Sequence, residues 1–192
     1  MNSTPIEANY KIYYGIHLNH YSYTWGGNTY NKLLTQEYPS DELQSTASTN
    51  SASANFLYPR LVGNPTYIDG VAEGHVTLFN SSSAASATID DYTVALYKTN
   101  DLASNEDQLG TYSISISADN VIFKTGEYDD HGHSDTLVLP VYIPILKQKV
   151  DVDEKIYLAI SYTSSSGSVW IGHYNGTDPD DIKIKIPYAP MG

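Results

Sequence analysis

The chain has 192 residues, with 22 Asp plus Glu against 10 Lys plus Arg, a formal net charge of −12 and Arg60 as its one arginine. Phosphate recognition needs clustered cations and bidentate arginines, so this balance argues against nucleic-acid binding and against attachment to anionic membranes. Cysteine is absent, which excludes disulfides, thiolate metal sites and cysteine nucleophiles.

The start, Met1-Asn2-Ser3-Thr4-Pro5, lacks the basic and apolar run of a signal peptide, so the expectation is a soluble chain made in the cytoplasm. Residues 1–73 are rich in Tyr, Asn, Ser and Thr with weak periodicity, apart from a strand-like segment over residues 10–17. The pattern predicts a short helix over residues 31–37, ended by Pro39, and a further turn over 41–43 capped by Ser40. The Ser/Ala run at 45–54 has the composition of a flexible linker. Residues 1–73 are therefore expected to be an extension that contributes a strand or an attachment arm.

Residues 74–192 alternate apolar and polar side chains with period two, as half-buried strands must. Segments begin at Val76, Tyr92, Ile114, Val121, Leu137, Ile156, Val169 and Ile182, separated by turn-rich stretches such as Asn80-Ser81-Ser82-Ser83, Ser164-Ser165-Ser166-Gly167 and Asn175-Gly176-Thr177-Asp178-Pro179. About eight such segments predict an all-β domain, an antiparallel β-sandwich or jelly roll with an N-terminal extension. The expected core is Val76, Leu78, Val94, Leu96, Ile114, Ile116, Leu158, Ile160, Val169, Ile171, Ile184 and Ile186. Pro140 and Pro144 cannot donate to a ladder, so their segment should be an edge strand or carry a bulge.

Aromatic surface is dominated by tyrosine, with 18 Tyr against 3 Phe and 2 Trp, which suits half-buried positions and interfaces. The cluster Tyr21, Tyr23, Trp25 and Tyr30, punctuated by Gly26-Gly27, has three uses open to it: stacking on sugar rings, packing on another protein, or packing within the chain. With Tyr13 it makes the candidate partner interface. His131 and His133, two apart beside Asp135, are the candidates for a divalent metal. They superficially resemble the His-x-His element of cupins, but Leu137 and Val138 stand where a Glu would be needed. A solvated hairpin loop is therefore preferred, and no metal or other cofactor is expected. The acidic stretches 101–107 and 178–181 follow no EF-hand pattern and read as solubilising turns. With no Gly-x-Ser-x-Gly elbow, no P-loop and no Gly-x-Gly-x-x-Gly, no catalytic residue is assigned and the chain is read as not an enzyme.

Three stretches, Val76-Thr77-Leu78-Phe79-Asn80-Ser81-Ser82-Ser83, residues 90–99 and residues 155–162, resemble β-sandwich structural proteins of tailed-bacteriophage virions, a likeness covering about residues 74–187. That resemblance implies a capsid decoration (auxiliary or cement) protein on the outer surface of the head. Its partners would be the major capsid protein or other virion proteins and copies of itself, often as a trimer. The alternative from another class is a carbohydrate- or receptor-binding module of an adhesin or fibre.

Overall fold

The computed structural model describes residues 9–17, 22–37, 48–49, 52–60, 64–80, 87–100, 106–115, 121–123, 134–164, 169–172 and 182–189. Fifteen strands and no helix occur among them: β1 (Asn9–His17), β2 (Tyr23–Trp25), β3 (Asn28–Tyr30), β4 (Lys32–Thr35), β5 (Ser48–Thr49), β6 (Ser53–Leu57), β7 (Thr66–Asn80), β8 (Ala87–Ile89), β9 (Asp91–Thr99), β10 (Glu106–Ser115), β11 (Val121–Phe123), β12 (Ser134–Val150), β13 (Lys155–Thr163), β14 (Val169–Gly172) and β15 (Ile182–Ala189). The protein is all-β. Eleven strands form one large sheet in the order β10-β9-β13-β6-β4-β1-β15-β7-β14-β5, with β12 on the other side of β7. All its pairings are antiparallel except β4 with β6, where Leu33 lies opposite Leu57.

The sheet curls until its two ends, β10 and β12, meet, so it is nearly a closed barrel around one core. Inward residues of the expected set fill that core: Val76, Leu78, Val94, Leu96, Leu158, Ile160, Val169, Ile171, Ile184 and Ile186 are all buried. Ile114 is half-buried against them, and Ile116 lies outside the described residues. No ladder joins β10 to β12 among the described residues, and the reason is local. The Pro140 carbonyl turns away from β7 to accept a hydrogen bond from the Tyr92 hydroxyl at 2.8 Å. Residues of the same parity on a strand aim their backbone groups the same way, so Pro144 also faces β10, and neither proline has an N–H to offer. β12 is thus an edge strand, and its register also shifts between Ile145 and Gln148. Gly110 makes the close seam possible, because a Cβ there would lie 2.6 Å from the Pro144 carbonyl oxygen.

β7 bends at Gly70, whose φ of 119° is strained for any side-chain-bearing residue. The ladders to both neighbours slip at that level, between Ile145 and Gln148 on β12 and between Lys185 and Tyr188 on β15. Pro187 sits within the second irregularity, where β15 gives up no ladder bond to β7.

The first third of the chain departs from the sequence reading. Residues 31–37 form no helix: β4 occupies Lys32–Thr35. The adjacent pair Leu33-Leu34 looks helical because it breaks period two, yet both are buried, Leu34 inside the barrel and Leu33 in a second cluster on the outside. Ser53 and Ala54, placed in the linker, begin β6, and Ser48–Thr49 pair with β14. The boundary drawn between residues 73 and 74 falls inside β7, and Tyr13, Leu34, Phe56 and Ile68 belong to the same core as β9 and β13. The Ser40 turn lies outside the described residues.

Candidate contact surfaces

A hairpin covers part of the outside of the barrel. β2 and β3 pair with Trp25 opposite Asn28, leaving a two-residue turn of Gly26 (φ 58°) and Gly27 (φ 78°). Two consecutive positive φ angles are the type I′ requirement, which glycines meet without steric cost. The hairpin lays Tyr23, Trp25 and Tyr30 over a compact outer cluster of Ile16, Leu33, Leu57 and Tyr157. Beneath it the Lys155 ammonium, 2% exposed, donates to the Pro59 carbonyl at 2.5 Å and lies 5.3 Å from the ring centres of both Tyr23 and Trp25. This replaces water around the charge with a carbonyl and two π faces. Tyr157 stacks on Tyr97 at 4.8 Å, and burial is the largest of the causes that raise its pKa, ahead of the Glu106 carboxylate. A groove of about 190 Å³ runs beside the cluster, with an exposed Arg60–Glu37 pair at 3.1 Å on its rim.

The structure therefore brings three of the five expected contact residues together, Tyr23, Trp25 and Tyr30, and it devotes much of their surface to the chain's own outer cluster. Tyr13 is a correction: only 1% exposed, it lies inside the barrel with its hydroxyl 2.6 Å from that of Tyr188, because it sits on the inward face of β1, a strand flanked by β4 and β15. Burial drives its pKa up to about 12. Tyr21, His131 and His133 lie outside the described residues; Asp135 falls on β12, and its side chain is not described. Among the described residues no three His, Asp or Glu are grouped as metal ligands.

The surface that sequence reasoning missed is the outer side of β12. Its inward residues Leu139, Val141, Ile143 and Ile145 are buried, and its outward residues Val138, Pro140, Tyr142, Pro144 and Leu146 are all exposed and all apolar. Leu146 is 85% exposed, and Val71 on β7 extends the row from opposite Pro144. Exposed apolar residues are ordinarily scattered singly, so a contiguous row of them is a candidate contact surface. The signal was present in the run from Leu137 to Leu146, which is apolar at both parities. Beside the row lies a shallow basin of about 350 Å³ lined by Glu73, Gly74, His75, Tyr142, Lys183 and Lys185.

No family model matches the sequence, and no curated protein matches it. Among solved structures, two of a CocE/NonD family hydrolase from Staphylococcus aureus superpose with TM-scores of 0.54 and 0.53 at 12% and 13% identity. They align over 95% and 96% of this chain but 37% of theirs, so the chain spans little more than a third of that hydrolase. Identity at this level is a likeness of fold.

Proposed function

We propose that the chain is a non-enzymatic structural protein of a bacteriophage virion, a capsid decoration (auxiliary or cement) protein that binds the major capsid protein on the outer surface of the head. The observation that carries the contact role is the exposed apolar row on β12, backed by a barrel core that holds its strand in place. Covering Val71, Val138, Tyr142 and Leu146 on a partner would remove large apolar side chains from water, at ~1 to 3 kcal/mol for each one fully buried. The sequence resemblance to virion β-sandwich proteins supplies the assembly. The acidic surplus keeps the free chain soluble until it is recruited. This reading assigns no catalytic residue and no cofactor.

Production of the chain together with the major capsid protein of its source virus, followed by gradient centrifugation, tests the reading. Co-migration with shells, lost when Tyr142 and Leu146 are both replaced by Asp, is the expected result. A chain that stays at the top of the gradient while shells form overturns it.

The second reading, a carbohydrate- or receptor-binding module, is favoured by the basin in which the half-exposed Tyr142 ring stands beside Glu73, His75, Lys183 and Lys185. A ring face flanked by polar groups is a common way to hold a sugar. A glycan-array signal abolished by Tyr142→Ala would favour it over the capsid role.

A further inference from the structure

The register of four neighbouring strands makes two straight rows across the outside of the barrel. One runs Tyr142 on β12, Glu73 on β7, Lys185 on β15 and Ile12 on β1; the next runs Pro140, His75, Lys183 and Tyr14. The face thus has an apolar strip on β12, a charged stripe on β7 and β15, and a second apolar strip on β1, where Ile12 and Tyr10 are exposed. Within the stripe, the Lys185 ammonium lies 3.4 Å from Glu73, both half-exposed.

We propose that this face pairs with the same face of a second copy of the chain about a two-fold axis that runs along the strands between β7 and β15. Such an axis exchanges β12 with β1 and β7 with β15 while keeping each row at its own level. Tyr142 of each copy then meets Ile12 of the other, and Glu73 meets the other's Lys185. The pattern is complementary to itself, which a two-fold contact requires and an arbitrary apolar patch does not provide. The charge distribution favours a copy of this chain: the repulsion expected from a net charge of −12 is locally relieved, because the stripe carries Lys183 and Lys185 against Glu73. Laid flat, four strands ~4.8 Å apart, over the nine residues from Val138 to Leu146 at ~3.4 Å each, would give a face on the order of 600 Å², and the curl of the sheet keeps the contact at or below that. Two such faces bury at most about 1,200 Å² in total, the lower end of specific interfaces, so the pair should be reversible and concentration-dependent. This inference rests on the reading of β12 as a contact surface and names the partner that it meets in free solution. It assigns a dimer, whereas the virion resemblance implies an oligomer that is often a trimer.

The test is sedimentation of the full chain at moderate salt, over about 1 μM to about 0.5 mM. The native chain should pass from monomer to dimer mass. Glu73→Lys sets two lysines against each other across the axis, and Lys185→Glu sets two glutamates, so each variant alone should pair at least about tenfold more weakly. Mixed one to one, the two variants should form a heterodimer of native strength, because position 73 of each copy then faces a charge of opposite sign at position 185 of the other. Loss of the pair within one chain cannot produce that rescue. A native chain that stays monomeric, a trimer mass, single variants that pair as well as the native chain, or a mixture that stays monomeric would each overturn the proposal. Shell binding by a strictly monomeric chain would defeat only the dimer, and a dimer that ignores shells would defeat only the virion reading.

Discussion

The inner core and the outer cluster are built from the same sheet but depend on it differently. Inside, residues from β1 through β15 converge on one continuous core. Outside, Ile16, Leu33, Leu57 and Tyr157 make a small cluster whose cover is the short hairpin of β2 and β3. An isolated two-stranded hairpin is marginal in water, so this cover holds only because its three aromatic rings and the buried Lys155 ammonium hold it to the sheet. β4 shows how closely the two are joined, with Leu34 facing in and Leu33 facing out. Among the described residues the outer side of β12 has no comparable cover, although it is equally apolar.

The widest test of this contrast is alkaline pH, because buried tyrosines serve both regions. Burial raises the folded-state pKa of Tyr13 from 10.0 to about 12, and it also raises those of Tyr188, Tyr92 and Tyr157. An unfolded chain would lose these phenolic protons first, near pH 10. The stabilisation is therefore complete below about pH 10 and is lost as pH rises through about 12. Phenolate absorbance and circular dichroism, followed together, should show these rings ionising only as the whole barrel unfolds. Ionisation of the entire set near pH 10 with the fold intact would contradict the burial.

Phe56→Ala removes a fully buried ring from the inner core and should cost about 3 to 5 kcal/mol, read from denaturant unfolding, with every strand losing protection together. Lys155→Ala should cost less, ~1 to 3 kcal/mol, since the Pro59 carbonyl loses its donor and the hairpin loses its cation. Amide exchange should then rise first in β2 and β3. If Lys155→Ala loosened β9 and β13 as much as the hairpin, the distinction between the two regions would fail. The smallest change is Tyr92→Phe, which frees the Pro140 carbonyl at the seam for about 1 kcal/mol. Faster exchange confined to β10 and β12 would place that bond where the fold needs it, and an unchanged profile would show that the seam holds without it.

Much of the second half was legible from alternation alone, because strands with one buried face must repeat every two residues: β9 and β15 largely follow that rule, whereas β13 is buried on both faces from Lys155 to Leu158 and shows it only in the spacing of Ile156, Leu158 and Ile160. β4, β6 and β12 were harder for a shared reason. A strand buried or apolar on both sides loses the alternation that identifies which face is which. Leu33-Leu34, Phe56-Leu57 and the Leu137 to Leu146 run all have apolar neighbours in sequence. Of the expected contact residues, Tyr23, Trp25 and Tyr30 came together as a cluster because the Gly26-Gly27 turn is a local signal. Tyr13 was misjudged because its partner, Tyr188, is 175 residues away.

By itself the sequence determined the all-β class, most of the inward-facing residues, the edge position of the strand bearing Pro140 and Pro144, and the absence of any thiol chemistry. These follow from properties of single residues and their immediate spacing: a side chain's polarity, a missing N–H, a period of two. Only the tertiary structure decided that β1 is a central strand, that Leu33 and Leu34 serve different clusters, and that Lys155 is capped by Tyr23 and Trp25. It also decided that Tyr142, Glu73, Lys185 and Ile12 stand in one row. Those facts depend on which distant strands become neighbours. That choice is made by the curl of the whole sheet, which lets β10 and β12 meet, and no local pattern along the chain encodes it.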